Sequence, residues 1–223
     1  MSQASNIHEL KDTFGRTHNY LRISLIEKCN LRCTYCMPAE GILLSPKASL
    51  MSAEEILEFA RIFVGLGVDK IRLTGGEPLL RKDFGEILEG LSELPVDLSL
   101  TTNGLLIDRH VDNFKKLGVK NINFSLDTLR EDRFFELTRR TGFQKTMDNF
   151  RLLHDQGFNL KINSVLVNGS NEDELVDLVN LTKDFDVSVR FIEFMPFDGN
   201  RWDKSKMVSE KEVLDQLSAH FGS

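Results

Sequence analysis

Cys29, Cys33 and Cys36 fall within the run EKCNLRCTYCMP and are the three cysteines of the chain. Soft thiolates at C-x3-C-x2-C spacing are metal ligands rather than a disulfide framework, because the set is odd in number and tightly clustered. Three thiolates occupy three of the four irons of a cubane iron–sulfur cluster. The fourth iron then lacks a protein ligand and is open to chelation by a small molecule. A structural zinc site is the alternative. It needs a fourth ligand, the adjacent sequence supplies no further His or Cys, and His8 and His18 are not at finger-like spacing. Three free buried thiols are the remaining alternative.

These residues must be carried by something. The chain alternates strand-like and helix-like segments. Strands are expected at Leu21–Ile26, Lys70–Thr74, Asp97–Thr101, Asn121–Leu126, Leu160–Val167 and Ser188–Phe194. A helix is expected from Ser52, where Ser52 and Glu55 stand at capping-box spacing. Others are expected near Lys82, Asp108, Gln144, Asn171 and Ser209, with Gly67, Gly118 and Gly157 at helix ends. Repeated β-α units imply a parallel sheet. The expected fold class is α/β, an incomplete TIM-like (β/α)6 barrel with parallel strands, and an open doubly wound sheet is the other winding. The cysteines follow the first strand, at the barrel mouth.

Side chains alternate faces along a strand. Parallel strands covered on both faces read as nearly continuous apolar runs, and these do not. Arg22 and Ser24 oppose Leu21, Ile23 and Leu25. Lys70, Arg72 and Thr74 oppose Ile71 and Leu73. Ser99, Thr101 and Asn103 oppose Leu98 and Leu100. Asn123, Ser125 and Asp127 oppose Ile122, Phe124 and Leu126, while Lys161 and Asn163 oppose Ile162. Unpaired charge in a dry core is costly, so a polar, partly cationic face implies a cavity for a polar ligand. An exposed sheet face, or polar groups that satisfy one another, would also produce this pattern. The acidic rows Glu54–Glu55 and Glu172–Asp173–Glu174 read as charges at helix N-termini.

The net charge is −6, which argues against bulk nucleic-acid binding. No apolar run approaches the roughly 20 residues of a membrane span, and MSQASNIHELKDTFG has neither a secretory core nor an arginine-rich transit pattern. A cytoplasmic protein is expected, or a mitochondrial-matrix one if the native chain has a longer N-terminus. Residues 1–223 are expected to form one core domain with an N-terminal extension of about 1–18. The Pro196–Ser205 run reads as a loop.

The cysteine spacing, with Tyr35 before the last Cys, resembles the signature of the radical S-adenosylmethionine (AdoMet) superfamily. YLRISL, KIRLTGGEP, LTTNG, INFSLDTL, LTRRTGF and FIEFMPFDGNRW together resemble the MoaA-type GTP 3′,8-cyclases of molybdenum-cofactor biosynthesis, leaning towards their eukaryotic branch. The resemblance implies one [4Fe–4S] cluster on Cys29, Cys33 and Cys36 with AdoMet at the open iron. It implies AdoMet contacts at Tyr35, Gly76, Ser125 and Met195, and GTP contacts at Arg22, Arg72, Thr101 and Lys161. A core methionine is the alternative for Met195. An electron donor and GTP are the implied partners, and a homodimer is a candidate assembly. No catalytic side chain is singled out. Family members carry a second [4Fe–4S] cluster on three C-terminal cysteines, and this sequence has no cysteine after Cys36. The chain therefore reads as the N-terminal part of such an enzyme. A different radical AdoMet enzyme and a non-catalytic cluster-binding paralogue are the other readings.

Overall fold

The computed structural model describes residues 10–196, 200 and 202–222. Phe197, Asp198, Gly199 and Arg201 of the expected Pro196–Ser205 loop, and residues 1–9 of the N-terminal extension, lie outside them. The described chain forms two compact units. The first takes the residues up to Cys29, with Leu44–Thr102 and Arg109–Asn121; the second takes Asn30–Leu43, Asn103–Asp108 and the residues from Ile122 onward.

The first unit carries β1 (Tyr20–Ser24), α1 (Ala53–Gly65), β2 (Lys70–Thr74), α2 (Phe84–Ser92), β3 (Asp97–Thr102) and α3 (Val111–Lys116). The strand β4 (Asn121–Ser125) begins at the unit boundary. The second unit continues with α4 (Glu131–Thr138), α5 (Phe143–Asp155), β5 (Asn159–Leu166), α6 (Leu175–Asp184), β6 (Val187–Glu193) and α7 (Glu210–Phe221). The strands are hydrogen-bonded neighbours in chain order, β1 to β6, in one unclosed sheet. Pairing is parallel for β1–β2, β2–β3 and β5–β6. The expected incomplete (β/α)6 barrel is therefore the fold, and every expected strand is present with its ends shifted by at most two residues.

The local causes are those the sequence announces. At α1 the Glu55 N–H donates to Ser52 Oγ at 3.2 Å and the Ser52 N–H to Glu55 Oε2 at 2.7 Å, a complete capping box. Ser209 and Glu212 close the same box at α7. Gly67, Gly118 and Gly157 follow the last residues of α1, α3 and α5 with positive φ. The helix expected from Asp108 is broken. A 3-10 turn at Ile107–Arg109 and α3 flank His110, which has φ −127° and ψ −12° and packs its ring on Phe84 and Phe114. The helix α4 is an addition to the sequence reading.

In the first unit the apolar face of β2 (Ile71, Leu73) and the inner residues of α1 and α2 (Ile56, Ala60, Phe84, Ile87, Leu91) are buried. In the second, Ile122, Phe124, Phe150, Ile162 and Leu178 are buried, with Phe124 and Phe150 edge to face at 5.7 Å. Each of the Ile, Leu and Phe side chains among these contributes about 1.5–3 kcal/mol of transfer free energy. The opposite faces of the strands hold the polar residues, and Ser99, Asn123 and Asp127 there are buried. A simple solvent-facing sheet surface does not account for that. Some of these groups do satisfy one another: Arg72 Nε donates to Ser99 Oγ at 3.3 Å.

Candidate functional site

Between β1 and the 3-10 turn Lys47–Ser49 the chain has no helix or strand, and the cysteine loop lies here. None of the three is in a disulfide; Cys29 and Cys33 are half-buried and Cys36 is exposed. Among the described residues no three His, Cys, Asp or Glu side chains are gathered as ligands for a single metal ion. A cubane cluster sets each thiolate on its own iron, so its ligands need not converge on one point. The donor set of three thiols and no fourth cysteine fits a cluster with one iron left for a small molecule.

In the first unit the segment leading into Cys29 is gripped by the glycine pair after β2. The Gly76 N–H donates to Ile26 O at 2.6 Å, and the Glu77 N–H to Lys28 O at 2.9 Å. A Cβ on Gly75 would stand 2.4 Å from Ile26 O; one on Gly76 would stand 2.4 Å from Glu27 O and Lys28 O. Gly75 also has φ +149°, a conformation that glycine adopts freely. The pair is therefore needed for close approach to the chain's own backbone. Glu77 is buried and accepts from Thr102 Oγ1 at 2.9 Å and Leu79 N at 3.2 Å. Arg81 donates to Leu25 O at 2.8 Å and Met51 O at 2.7 Å, and pairs with Asp83.

Arg22 and Arg72 are register partners across β1 and β2. Both guanidinium groups stack on the Tyr20 ring, at 5.4 Å and 5.2 Å from its centroid. Two adjacent cations on one face repel each other unless an anion joins them, and the aromatic face offsets part of that cost. Thr101, half-buried near the end of β3, continues the row two residues beyond Ser99.

In the second unit the Cys36 and Met37 N–H groups both donate to Cys33 O, at 2.9 and 3.0 Å, which folds the loop into a tight turn. Tyr35 OH donates to Asp127 Oδ2 at 2.6 Å, and Val165 N donates to Asp127 Oδ1 at 2.8 Å. The loop is thereby tied to the ends of β4 and β5. Burial raises the Asp127 carboxyl to about 6, against the opposing pull of the Tyr35 and Val165 hydrogen bonds. Burial, and then the Asp127 charge, pushes the Tyr35 hydroxyl well above its ordinary value. Cys36 is exposed as a residue, yet the protein packed around its thiol, and then the Asp127 charge, raise that thiol too. Both effects disfavour the thiolate form that ligation requires.

Ser125 is half-buried at the end of β4, and Lys161 half-buried on β5 between buried Leu160 and Ile162. Met195, after β6, is 58% exposed, so it is not a core methionine. Asn200 Nδ2 donates to its carbonyl at 2.8 Å. A cavity of about 280 Å³ lies behind the loop, lined by Met37, Glu40, Arg139, Asn200 and Lys206 among others.

Sequence reasoning set Asp127 on the polar strand face without a partner in the cysteine loop, and assigned no role to Arg139. Their partners lie 92 and more than 100 residues away in the chain, beyond any local spacing signal. It took Glu174 as a helix-terminus charge, and Glu174 does stand at the N-terminus of α6. Glu174 is also buried and accepts from Thr128 Oγ1 (2.6 Å), Leu129 N (2.7 Å) and Arg133 Nη1 (2.7 Å), fixing the turn after Asp127.

An unclosed parallel α/β sheet with a three-cysteine loop after its first strand defines a class. The family model of the radical SAM superfamily matches residues 23–182, and the chain belongs to that superfamily. Membership implies a [4Fe–4S] cluster and AdoMet. Molybdenum cofactor biosynthesis protein 1 of Homo sapiens is 53% identical over 211 residues, 93% of this chain and 33% of that protein. The mitochondrial GTP 3′,8-cyclase of Arabidopsis thaliana is 49% identical over 217 residues, 96% of this chain and 56% of that protein. The chain thus spans a third to little more than half the length of these relatives. Among solved structures, SuiB of Streptococcus suis bound to its precursor peptide SuiA superposes with a TM-score of 0.68 at 24% identity. That match covers 91% of this chain and 46% of SuiB, and speaks to the fold alone. No helix among the described residues is long and apolar enough to cross a membrane.

Proposed function

We propose that this chain holds a [4Fe–4S] cluster on Cys29, Cys33 and Cys36, binds AdoMet at the open iron, and acts on GTP as the radical core of a GTP 3′,8-cyclase. The bound cluster and AdoMet would supply reductive cleavage of the sulfonium and a 5′-deoxyadenosyl radical that abstracts hydrogen from the ribose. The protein's share is to bind, orient and shield. Tyr35, Gly76, Ser125 and Met195 contact AdoMet. Arg22, Arg72 and Lys161 donate to the triphosphate, for which guanidinium forks suit phosphate oxygens, and Thr101 adds a short hydroxyl contact. The reading takes residues 1–223 as one core domain, served by an electron donor. It places the protein in the cytosol, or in the mitochondrial matrix where a leader precedes it.

The observation that carries the substrate assignment is the register pairing of Arg22 with Arg72 over Tyr20. Two guanidinium groups at paired register positions, each over the Tyr20 ring, form a site for a polyanion. The relatives' names supply the nucleotide. The test is anaerobic reconstitution with AdoMet, GTP and a low-potential reductant, followed for 5′-deoxyadenosine and a cyclised nucleotide. Formation of both supports the proposal. AdoMet cleavage that yields no GTP-dependent product overturns the cyclase assignment and favours another radical AdoMet reaction. Absence of cleavage favours a non-catalytic paralogue.

A further inference from the structure

The helix α4 ends on Arg139, which has φ 53° and ψ 27°, the one positive-φ residue other than glycine among the described residues. Glycine is the usual choice at this position because a Cβ is disfavoured there. An arginine that accepts the strained conformation is explained by what its side chain reaches. Arg139 Nη1 donates to Arg32 O at 2.9 Å and to Met37 O at 3.1 Å. These two carbonyls bracket residues 33–36, the span from Cys33 to Cys36. The backbone beside Arg139 engages the same loop: Arg32 N donates to Thr138 O at 2.9 Å, and Thr34 N to Leu137 O at 2.8 Å. Four hydrogen bonds from one helix end thus hold a segment that has no regular structure of its own. The two made by the guanidinium are charge-assisted, the stronger kind.

We infer that Arg139 is a positioning residue for the cluster. It fixes the turn that presents Cys33 and Cys36, and its left-handed backbone conformation is the strain that places the guanidinium there. The inference rests on the reading of Cys33 and Cys36 as cluster ligands, but its geometric part, the fixing of the turn, can be tested without any metal.

Arg139→Gly separates the two roles, because it relieves the backbone while removing the clamp. In the metal-free full chain, amide hydrogen exchange is expected to speed up at Thr34, Cys36 and Met37 on the order of tenfold, the loss of one charged hydrogen bond or more. The thermal midpoint should stay at or above that of the wild type. After anaerobic reconstitution, iron loss to a ferrous chelator should also be on the order of tenfold faster, with Arg139→Lys in between because an ammonium retains donors for the same carbonyls. Wild-type exchange in Arg139→Gly overturns the positioning role, and so does faster exchange spread evenly over the unit with a lowered midpoint. Local loosening of the turn with unchanged iron retention overturns the link to the cluster. If Cys33→Ala loads iron and sulfide as the wild type does, it is the ligand reading that fails, and the exchange data still decide the role of Arg139 in the turn.

Discussion

Substituting Gly76 by Ala tests whether the glycine pair exists to let two stretches of backbone touch. The new methyl would stand 2.4 Å from both Glu27 O and Lys28 O, where ordinary contact begins at 3.4 Å. Either the 26–28 segment or the turn after β2 must therefore retreat by about 1 Å in a packed region. Overpacking of this kind costs about 1–3 kcal/mol. The retreat also breaks the Gly76 N to Ile26 O and Glu77 N to Lys28 O hydrogen bonds, at about 1 kcal/mol each. The sum is about 3–5 kcal/mol, and a chain of this size loses about 2–4 °C per kcal/mol, so the melting midpoint should fall by roughly 6–20 °C. Circular dichroism melting of the metal-free protein measures the fall, and anaerobic iron uptake measures its consequence at Cys29. Gly85→Ala is the control: it lies in α2 with nothing within 4 Å of the added methyl, and should gain about 0.5–1 kcal/mol. A Gly76→Ala protein that melts within about 2 °C of the wild type and loads full iron refutes the close-approach argument.

Three further outcomes are expected. Glu174→Ala leaves Arg133 paired with Asp173 alone and takes the acceptor from Thr128 Oγ1 and Leu129 N; the cost should be about 1–3 kcal/mol, read as a lowered denaturant midpoint, while Glu174→Gln loses less. Asp83 is held below the ordinary carboxylate range, chiefly by its hydrogen bond from Arg81. Its stabilisation is therefore present above the unfolded-state value near 4 and is lost as pH falls through the folded value, so the drop in midpoint between pH 7 and pH 3 should be smaller in Asp83→Asn than in the wild type. Tyr20→Leu removes two cation–π contacts of about 0.5–1 kcal/mol each that hold Arg22 and Arg72 on one ring, and equilibrium GTP binding should weaken; Tyr20→Phe keeps the ring and should bind as the wild type does, and equal loss in both variants would sink the argument.

How much of this was legible in the sequence depended on whether its cause was local. Alternation along β2 and β5 and the boxes at Ser52 and Ser209 are short-range signals, and those elements lie where the residues put them. The helix α4 was not read because it carries neither a capping side chain nor a glycine stop, although Glu131 and Asp132 stand in its first turn. Its N-cap is Arg130, with no side-chain hydrogen bond to the first turn, and Arg139 ends it where a glycine would have marked the stop. The acidic row at Glu172–Glu174 was read as one object, although tertiary structure divides it. Asp173 stays on the surface while Glu174 is buried under Arg133 and Thr128. At the site, the cysteines were plain from spacing. What holds them was not, since Tyr35 with Asp127, and Arg139 with Arg32 and Met37, are brought together by the fold.

That division has a physical reason. The loop that presents the thiols buries Leu31 and Met37 alone, so hydrophobic packing orders it less than it orders α1 or β2. The remaining order must come from polar contacts made by rigid neighbours. The structure supplies them in each unit: the glycine pair after β2 on the run into Cys29, and in the second unit the end of α4 and the buried Asp127 on the residues from Arg32 to Met37. Such contacts contribute only about 1–3 kcal/mol each, small beside the cores that carry global stability. Variants at these contacts that add no steric clash should therefore lose cluster loading before they lose the fold. Arg139→Gly is the sharpest case, since the backbone gains what the loop loses.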